Sequence, residues 1–389
     1  AVWNEGGIGM TDKTRMTALN TSVGADDGRS LTKCTGDSIT DETAEIKDFE
    51  ELQRKMRRMT DPAYLHTFSM NELYDREFDV RPPIVEGMLY PGTYILAGAS
   101  KVGKSFLVAQ IAYHVSTGKP LWEYPVHQCG VLYLALEDDQ RRLQSRLARM
   151  FGVQGTDALS FAISSQKISS GLETQLDNYL RENPKTRLII IDTLQKVRMS
   201  SGDIYSYADD YETIGKLKQF TDARGICVLV VHHTRKQRAE DIFEMISGTN
   251  GLMGAADGAM ILNKEKRTSM NAALAITGRD QPDQTIYLVR DEARLVWQFE
   301  RSEARPWELQ PDPFLETVAA VLSDDVPEWE GRASDLAVLL QDNIQPNLLI
   351  RKLNVGKEKL AQLYSIAYTC KRTKTGSLVR LSRIVGDDR

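Results

Sequence analysis

Eight consecutive residues, Gly98-Ala99-Ser100-Lys101-Val102-Gly103-Lys104-Ser105, state their chemistry most directly. They fit G-x-x-x-x-G-K-[ST] at every fixed position, the pattern of a loop that wraps a nucleotide polyphosphate. Such a ligand must be met by unpaired backbone N–H groups, which glycine allows to approach closely and a helix N-terminus reinforces with partial positive charge. Lys104 is then placed for the β- and γ-phosphates and Ser105 for Mg²⁺, so the loop predicts ATP and Mg²⁺ as ligands. A second carboxylate source is Glu137-Asp138-Asp139, which follows the apolar run Gly130–Leu136. A carboxylate at the end of a core strand lies on the ligand edge of an open α/β sheet. Glu137 is expected to activate the attacking water there. Asp138 or Asp139 is expected to cap the next helix. Asp192 closes a third apolar run, Arg187–Ile191, and suits a metal facing Ser105. Thr193 follows it rather than a glutamate, which again favours Glu137 as the base. His232 and His233 end a fourth run, Cys227–Val231, and His233 is the expected γ-phosphate sensor. Arg279, after the strand Ala272–Ile276, has the character of an arginine that reaches a neighbouring subunit's nucleotide.

These groups need strands to deliver them and helices to receive them. Tyr94–Ala97 reads as the strand entering the loop, and Lys104–Val115 as the helix leaving it, stopped by Gly118 and Pro120. Tyr211, Ile214, Leu217 and Phe220 mark a helix closed by Gly225. Strands are expected at 258–262 and 272–276, with a hairpin over 285–299 turning near Asp291-Glu292. Residues 195–210 read as a surface loop bearing Lys196 and Arg198, and the stretch from Arg235, with Lys236 and Arg238, reads as a glycine-rich basic loop. The second suits contact with a phosphate backbone.

The 389 residues carry a net charge of −5, so global charge makes no case for nucleic acid. Four well-separated cysteines argue for reduced thiols rather than a disulfide frame or zinc site, and no apolar run approaches the ~18 residues of a membrane span. A cytoplasmic protein without membrane contact is expected. The expected domains are a disordered tail (1–40), a helical arm (41–86), an α/β ATPase core (87–303) and a C-terminal module (310–389). The arm contains an amphipathic pattern from Ile46 to Met59 and a capping box at Ser69–Glu72, followed by the stiff Arg81-Pro82-Pro83. In the module, helices at 314–322, 335–340 and 356–364 precede a hairpin at 368–384, the winged-helix order. Its second half is basic: Arg351, Lys352, Lys371, Arg372 and Lys374 are candidate DNA contacts.

The ordered set G-A-S-K-V-G-K-S, Y-L-A-L-E-D-D, L-I-I-I-D-T, V-V-H-H-T-R-K and T-G-R-D resembles the RepA-type plasmid and mobile-element ATPases of the RecA/DnaB group, over roughly residues 84–300. The resemblance implies a RecA-like core, mainly parallel with helices on both faces, and ATP held between subunits of a homo-oligomer, a six-membered ring. It also implies Glu137 as base, Asp192 at the metal, His233 as sensor and Arg279 as finger. A lysine often stands two residues before the finger in that group, where this chain has Thr277. The loops after Asp192 and His233 correspond to those lining the DNA channel. The function implied is a replicative helicase of a plasmid, phage or integrated element. It would draw single-stranded DNA through the ring, with duplex contact through the C-terminal module. A DNA-stimulated recombinase-type ATPase and a nucleotide-switched winged-helix regulator are the alternatives.

Overall fold

The computed structural model describes residues 53, 54, 56, 57 and 61–384, apart from 199–206, 236–240, 247–249, 280, 304–310, 341–343 and 374–375. Two compact units divide between Ser69 and Met70. In the first, Gln53, Arg54, Met56 and Arg57 are helical and exposed; the rest of the expected amphipathic helix, and the tail, lie outside the described residues.

The second unit is built on apolar runs too short for helices and too apolar for surface strands. Nine of its strands form one sheet: β1 (Gly92–Gly98), β2 (Gly130–Ala135), β3 (Leu159–Ala162), β4 (Thr186–Asp192), β5 (Cys227–Val231), β6 (Gly258–Asn263), β7 (Asn271–Gly278), β8 (Gln281–Arg290) and β9 (Trp297–Glu303). Their order is β3-β2-β4-β5-β1-β6-β7-β8-β9, parallel from β3 to β6 and antiparallel from β6 to β9. Helices must cover both faces of such a sheet, because its strands bury both. Tyr94 and Leu96 of β1 enter one core with Leu107, Val108 and Ile111, while Ile95 and Ala97 enter another with Leu176, Ile214 and Leu217. This is the arrangement expected of a RecA-like core.

The helices are α1 (Met70–Tyr74), α2 (Lys104–Thr117), α3 (Gln140–Phe151), α4 (Leu172–Glu182), α5 (Leu194–Val197), α6 (Tyr207–Arg224) and α7 (Asn250–Ala255), with a one-turn 3₁₀ helix at Ile242–Met245. Gly118 ends α2 in a left-handed conformation, its N–H bonded to the His114 carbonyl, as its position in the sequence requires. Residues 195–210 do not form the expected surface loop throughout. Leu194–Val197 is a helical turn, and Val197 and Arg198 are buried.

The C-terminal elements run α8 (Pro313–Ala319), β10 (Glu328–Arg332), α9 (Ala333–Leu339), α10 (Pro346–Tyr364), β11 (Ile366–Thr373) and β12 (Gly376–Arg383). Their strands form a separate antiparallel sheet, β10-β12-β11. Leu315, Leu336, Leu349, Leu353, Tyr368 and Leu381 close its own core. Strand β10 was not expected, and α10 begins ten residues earlier than Gly356 would suggest. That glycine lies inside the helix, where an added Cβ would stand 2.8 Å from Leu315 Cδ2, so it permits close packing of α8 on α10.

Candidate functional site

Register brings the candidate groups together. Ala135 pairs with Asp192, Asp192 with Val231, and Val231 with Leu96, so β2, β4, β5 and β1 end at the same level. The segments leaving those ends carry Glu137, Asp192, His233 and the Gly98–Ser105 loop. One sheet edge therefore holds residues separated by more than a hundred positions in the chain.

The loop's backbone explains its glycines. Gly103 has φ 110°, and a Cβ there would stand 2.9 Å from both Arg290 Nη1 and Trp297 Cζ2; at Gly98 it would stand 2.6 Å from the Leu262 carbonyl oxygen. Lys101 is also left-handed, at φ 65°. Ala99, Ser100 and Lys101 are exposed, Val102 packs inward, and Gly103 leads directly into α2. The Lys104 ammonium is buried, donating to the carbonyls of Gly98 (2.7 Å) and Ala99 (3.0 Å), with His233 Nδ1 at 3.4 Å. Burial pulls its pKa down to about 8 against the opposing pull of Asp192 and Glu137. Burial first, then the Lys104 charge, lowers the His233 pKa, which keeps its ring neutral at pH 7 and able to accept from that ammonium.

Asp192 is buried. Tyr133 Oη donates to its Oδ2 at 2.9 Å, and the Ser105 hydroxyl bonds to the same carboxylate. Desolvation raises its pKa, with those two hydrogen bonds opposing. A buried carboxylate beside a hydroxyl is a donor set that suits Mg²⁺, a hard ion that takes few protein oxygens and completes its shell with phosphate and water. Ser105 and Asp192 thus fit the expected ion. Among the described residues no cluster of three or more His, Cys, Asp or Glu forms an alternative metal site.

The three carboxylates after β2 have separate tasks. Asp139 caps α3, accepting from Arg142 N at 2.8 Å. Asp138 is held by a two-pronged Arg146 bond at 2.6 and 2.9 Å. Glu137 is exposed and accepts only a neutral hydroxyl, Thr193 Oγ1, at 3.1 Å, among its resolved bonds. Of the three, its described bonds include neither an arginine nor a main-chain N–H.

Sequence reasoning did not find two parts of the site. Tyr133 sits mid-strand in an apolar run and gives no local sign of its bond to Asp192. Beside Gly103, the Arg290 guanidinium lies over the Phe106 ring (4.1 Å) and the Trp297 ring (5.0 Å), and Trp297 Nε1 donates to the Gly103 carbonyl at 3.4 Å. Gln110 of α2 fixes that wall by bonding both the N–H and the carbonyl of Trp297 (2.8 and 2.9 Å). Burial brings the Arg290 pKa down to about 10.

A family profile described as "AAA domain" matches residues 59–239. Among solved structures, the chain is similar to an isolated ATPase domain, with 14% identity and a TM-score of 0.45 over 69% of this chain and 100% of that one. It is also similar to a DnaB-like replicative helicase described with its primase interactions, with 13% identity and a TM-score of 0.45 over 66% of this chain and 72% of that one. No curated protein sequence matches the chain.

The remaining candidates are dispersed. Arg279 lies away from the loop. Its N–H bonds the Asp257 carbonyl, its Nη2 donates to Gly254 O at 3.2 Å, and Asp257 in turn accepts from Thr93 N at the start of β1. From Thr93 to Gly98 the strand spans about 17 Å, so Arg279 and the loop occupy opposite ends of β1. Lys196 and Arg235 are exposed. Arg198 is not: it pairs with buried Asp210 at 2.7 Å, across the segment 199–206, and does not present its charge outward. Lys236, Arg238 and Lys374 lie outside the described residues. Lys352, Lys371 and Arg372 are exposed, while Arg351 is bound to Asp75 and Asn71. No described helix is long and apolar enough to cross a membrane.

Proposed function

We propose that this chain is an ATP-dependent DNA motor acting as a ring-forming, hexameric replicative helicase of a plasmid, phage or integrated element. The observation that carries the reading is the single sheet edge where Lys104, Ser105, Asp192, Glu137 and His233 converge. ATP would lie along Gly98–Ser105, its phosphates replacing the carbonyls that Lys104 now bonds. Ser105 and Asp192 would hold Mg²⁺, which supplies charge neutralisation on the β- and γ-phosphate oxygens. Glu137 takes a proton from water as the water oxygen attacks the γ-phosphorus and the bond to the β-phosphate oxygen breaks. His233, touching Lys104 on one side and leading into Thr234 and Arg235 on the other, couples the loss of γ-phosphate to the basic segment beyond.

Arg279 supports the ring. A guanidinium at the far end of β1 from its own loop is useful to catalysis only at another subunit's nucleotide, the trans role. The C-terminal order helix–strand–helix–helix–strand–strand, with β12 between β10 and β11, supports a winged-helix module. Its exposed Lys352, Lys371 and Arg372 suit contact with DNA.

The test is strand displacement on a forked duplex with Mg-ATP. Displacement that disappears in Lys104→Ala supports the helicase. ATP turnover without displacement favours a recombinase-type ATPase. Tight binding to one duplex sequence with little single-strand affinity favours the regulator.

A further inference from the structure

The basic residues of the C-terminal module with described carboxylate partners fall into two groups. Arg380 bonds Glu328 and Arg383 bonds Asp324, both partners belonging to the module itself. Arg351 and Lys357 are bound instead by residues that precede the ATPase core. Asp75 grips the Arg351 fork through both oxygens, taking Nε at 2.7 Å and Nη2 at 3.3 Å, and Asn71 Oδ1 accepts Nη1 at 2.9 Å. Glu77 takes Lys357 Nζ on one oxygen at 2.6 Å and the N–H of Cys370 on the other at 3.0 Å. Between Arg351 and Lys357 on α10, Asn354 Nδ2 donates to the Tyr74 carbonyl at 3.0 Å.

The donors engaged here are those that recognise phosphate: a guanidinium presenting a two-pronged fork, an ammonium, and a main-chain N–H. Cys370 can offer its N–H outward because β11 is an edge strand. Arg351, Asn354 and Lys357 recur every three residues along one flank of α10, beside the exposed Lys352. On β11 the next two residues are the exposed Lys371 and Arg372. The occupied donors therefore continue a basic surface that is open on both sides of them.

We propose that the Arg351–Lys357–Cys370 flank is a binding site for the phosphate backbone of nucleic acid, and that Asp75 and Glu77 occupy it as stand-ins for two phosphates. The strap 71–77 must leave before this part of the module can engage a strand. Residues 78–86 link the strap to the ATPase core, so the core's movements can release it. This inference rests on the reading of the C-terminal module as a nucleic-acid binder.

The experiment measures binding of the full chain to a labelled random-sequence duplex by fluorescence anisotropy across a salt series. Asp75→Asn/Glu77→Gln is expected to bind about tenfold tighter at low salt, the order expected for releasing two exposed ion pairs. Its slope of log affinity against log salt should steepen by about two, close to 0.9 for each phosphate gained. Glu77→Gln alone, which leaves the Asp75 fork in place, should steepen it by about one. Glu316→Gln/Asp325→Asn removes the same charge from exposed positions of the module and should leave the slope unchanged. Adding Arg351→Gln/Lys357→Gln to the strap variant should restore wild-type affinity. An unchanged slope in the strap variant, an equal gain in the charge-matched control, or a gain that survives loss of Arg351 and Lys357 overturns the proposal. Equal binding by wild type and strap variant overturns it while leaving the module a nucleic-acid binder; no binding by either overturns both.

Discussion

Lys104 is held in a position that costs the empty protein stability, and replacing it separates that cost from its use. Its ammonium is buried, and its pKa stands at about 8 against an ordinary 10.5. At 1.36 kcal/mol for each tenfold step, the gap amounts to about 3 kcal/mol. The folded value lies below the unfolded one, so this cost is present in full below about pH 8 and disappears as pH rises through 10.5. Lys104→Met keeps the unbranched chain and removes the charge. The carbonyls of Gly98 and Ala99 lose their donor, which offsets part of the gain. The ligand-free variant should therefore exceed wild type in stability by about 1 to 3 kcal/mol at pH 7, with the difference fading toward pH 10.5. A non-hydrolysable ATP analogue with Mg²⁺ should stabilise wild type strongly and the variant hardly at all. Urea unfolding at several pH values, with and without the analogue, reads both effects. A ligand-free variant less stable than wild type at pH 7 would mean that burying the ammonium carries no net cost, and one stabilised by the analogue as much as wild type would mean that Lys104 does not meet the phosphates.

Three further outcomes follow from other parts of the fold. Asp210→Asn removes the carboxylate paired with buried Arg198 and should lower stability by about 3 kcal/mol in urea unfolding, whereas a solvated pair would give under about 1. Arg279→Ala should lower ATP turnover without changing nucleotide affinity, and mixing it with Glu137→Gln subunits should partly restore turnover; no rescue at any ratio would contradict a residue acting in trans. Gly103→Ala forces a side chain into a left-handed position 2.9 Å from Arg290 and Trp297, and should abolish nucleotide binding measured by calorimetry.

Residues whose task fixes their local chemistry could be read from the chain. Gly98 and Gly103 are glycine because the loop's backbone and its neighbours leave no room for Cβ, and Asp192 stands out because a carboxylate ends an otherwise apolar strand. The strands at this edge were legible for the same reason, since burial on both faces demands continuous apolar runs. What escaped depends on contacts distant in sequence. Arg198 looked like a loop cation because nothing nearby announces that Asp210 returns to cover it. Tyr133 looked like core because its hydroxyl partner lies on another strand. Strand β10, Glu-Trp-Glu-Gly-Arg, carries an alternating pattern that gains meaning only through its register with β12. The capping box at Ser69–Glu72 did mark α1, but not that the following Asp75 and Glu77 would cover Arg351 and Lys357.

The proposed function has the groups at one sheet edge cleave ATP in a way that is coupled to a bound strand. Its most direct test is steady-state ATP turnover by wild type and Glu137→Gln, with and without single-stranded DNA, alongside nucleotide binding by each. Wild type should show Mg²⁺-dependent turnover that rises when DNA is added, and the variant should bind ATP as well as wild type but turn over at least about a hundredfold more slowly. Wild-type turnover indifferent to DNA, or full turnover in the variant, would contradict it.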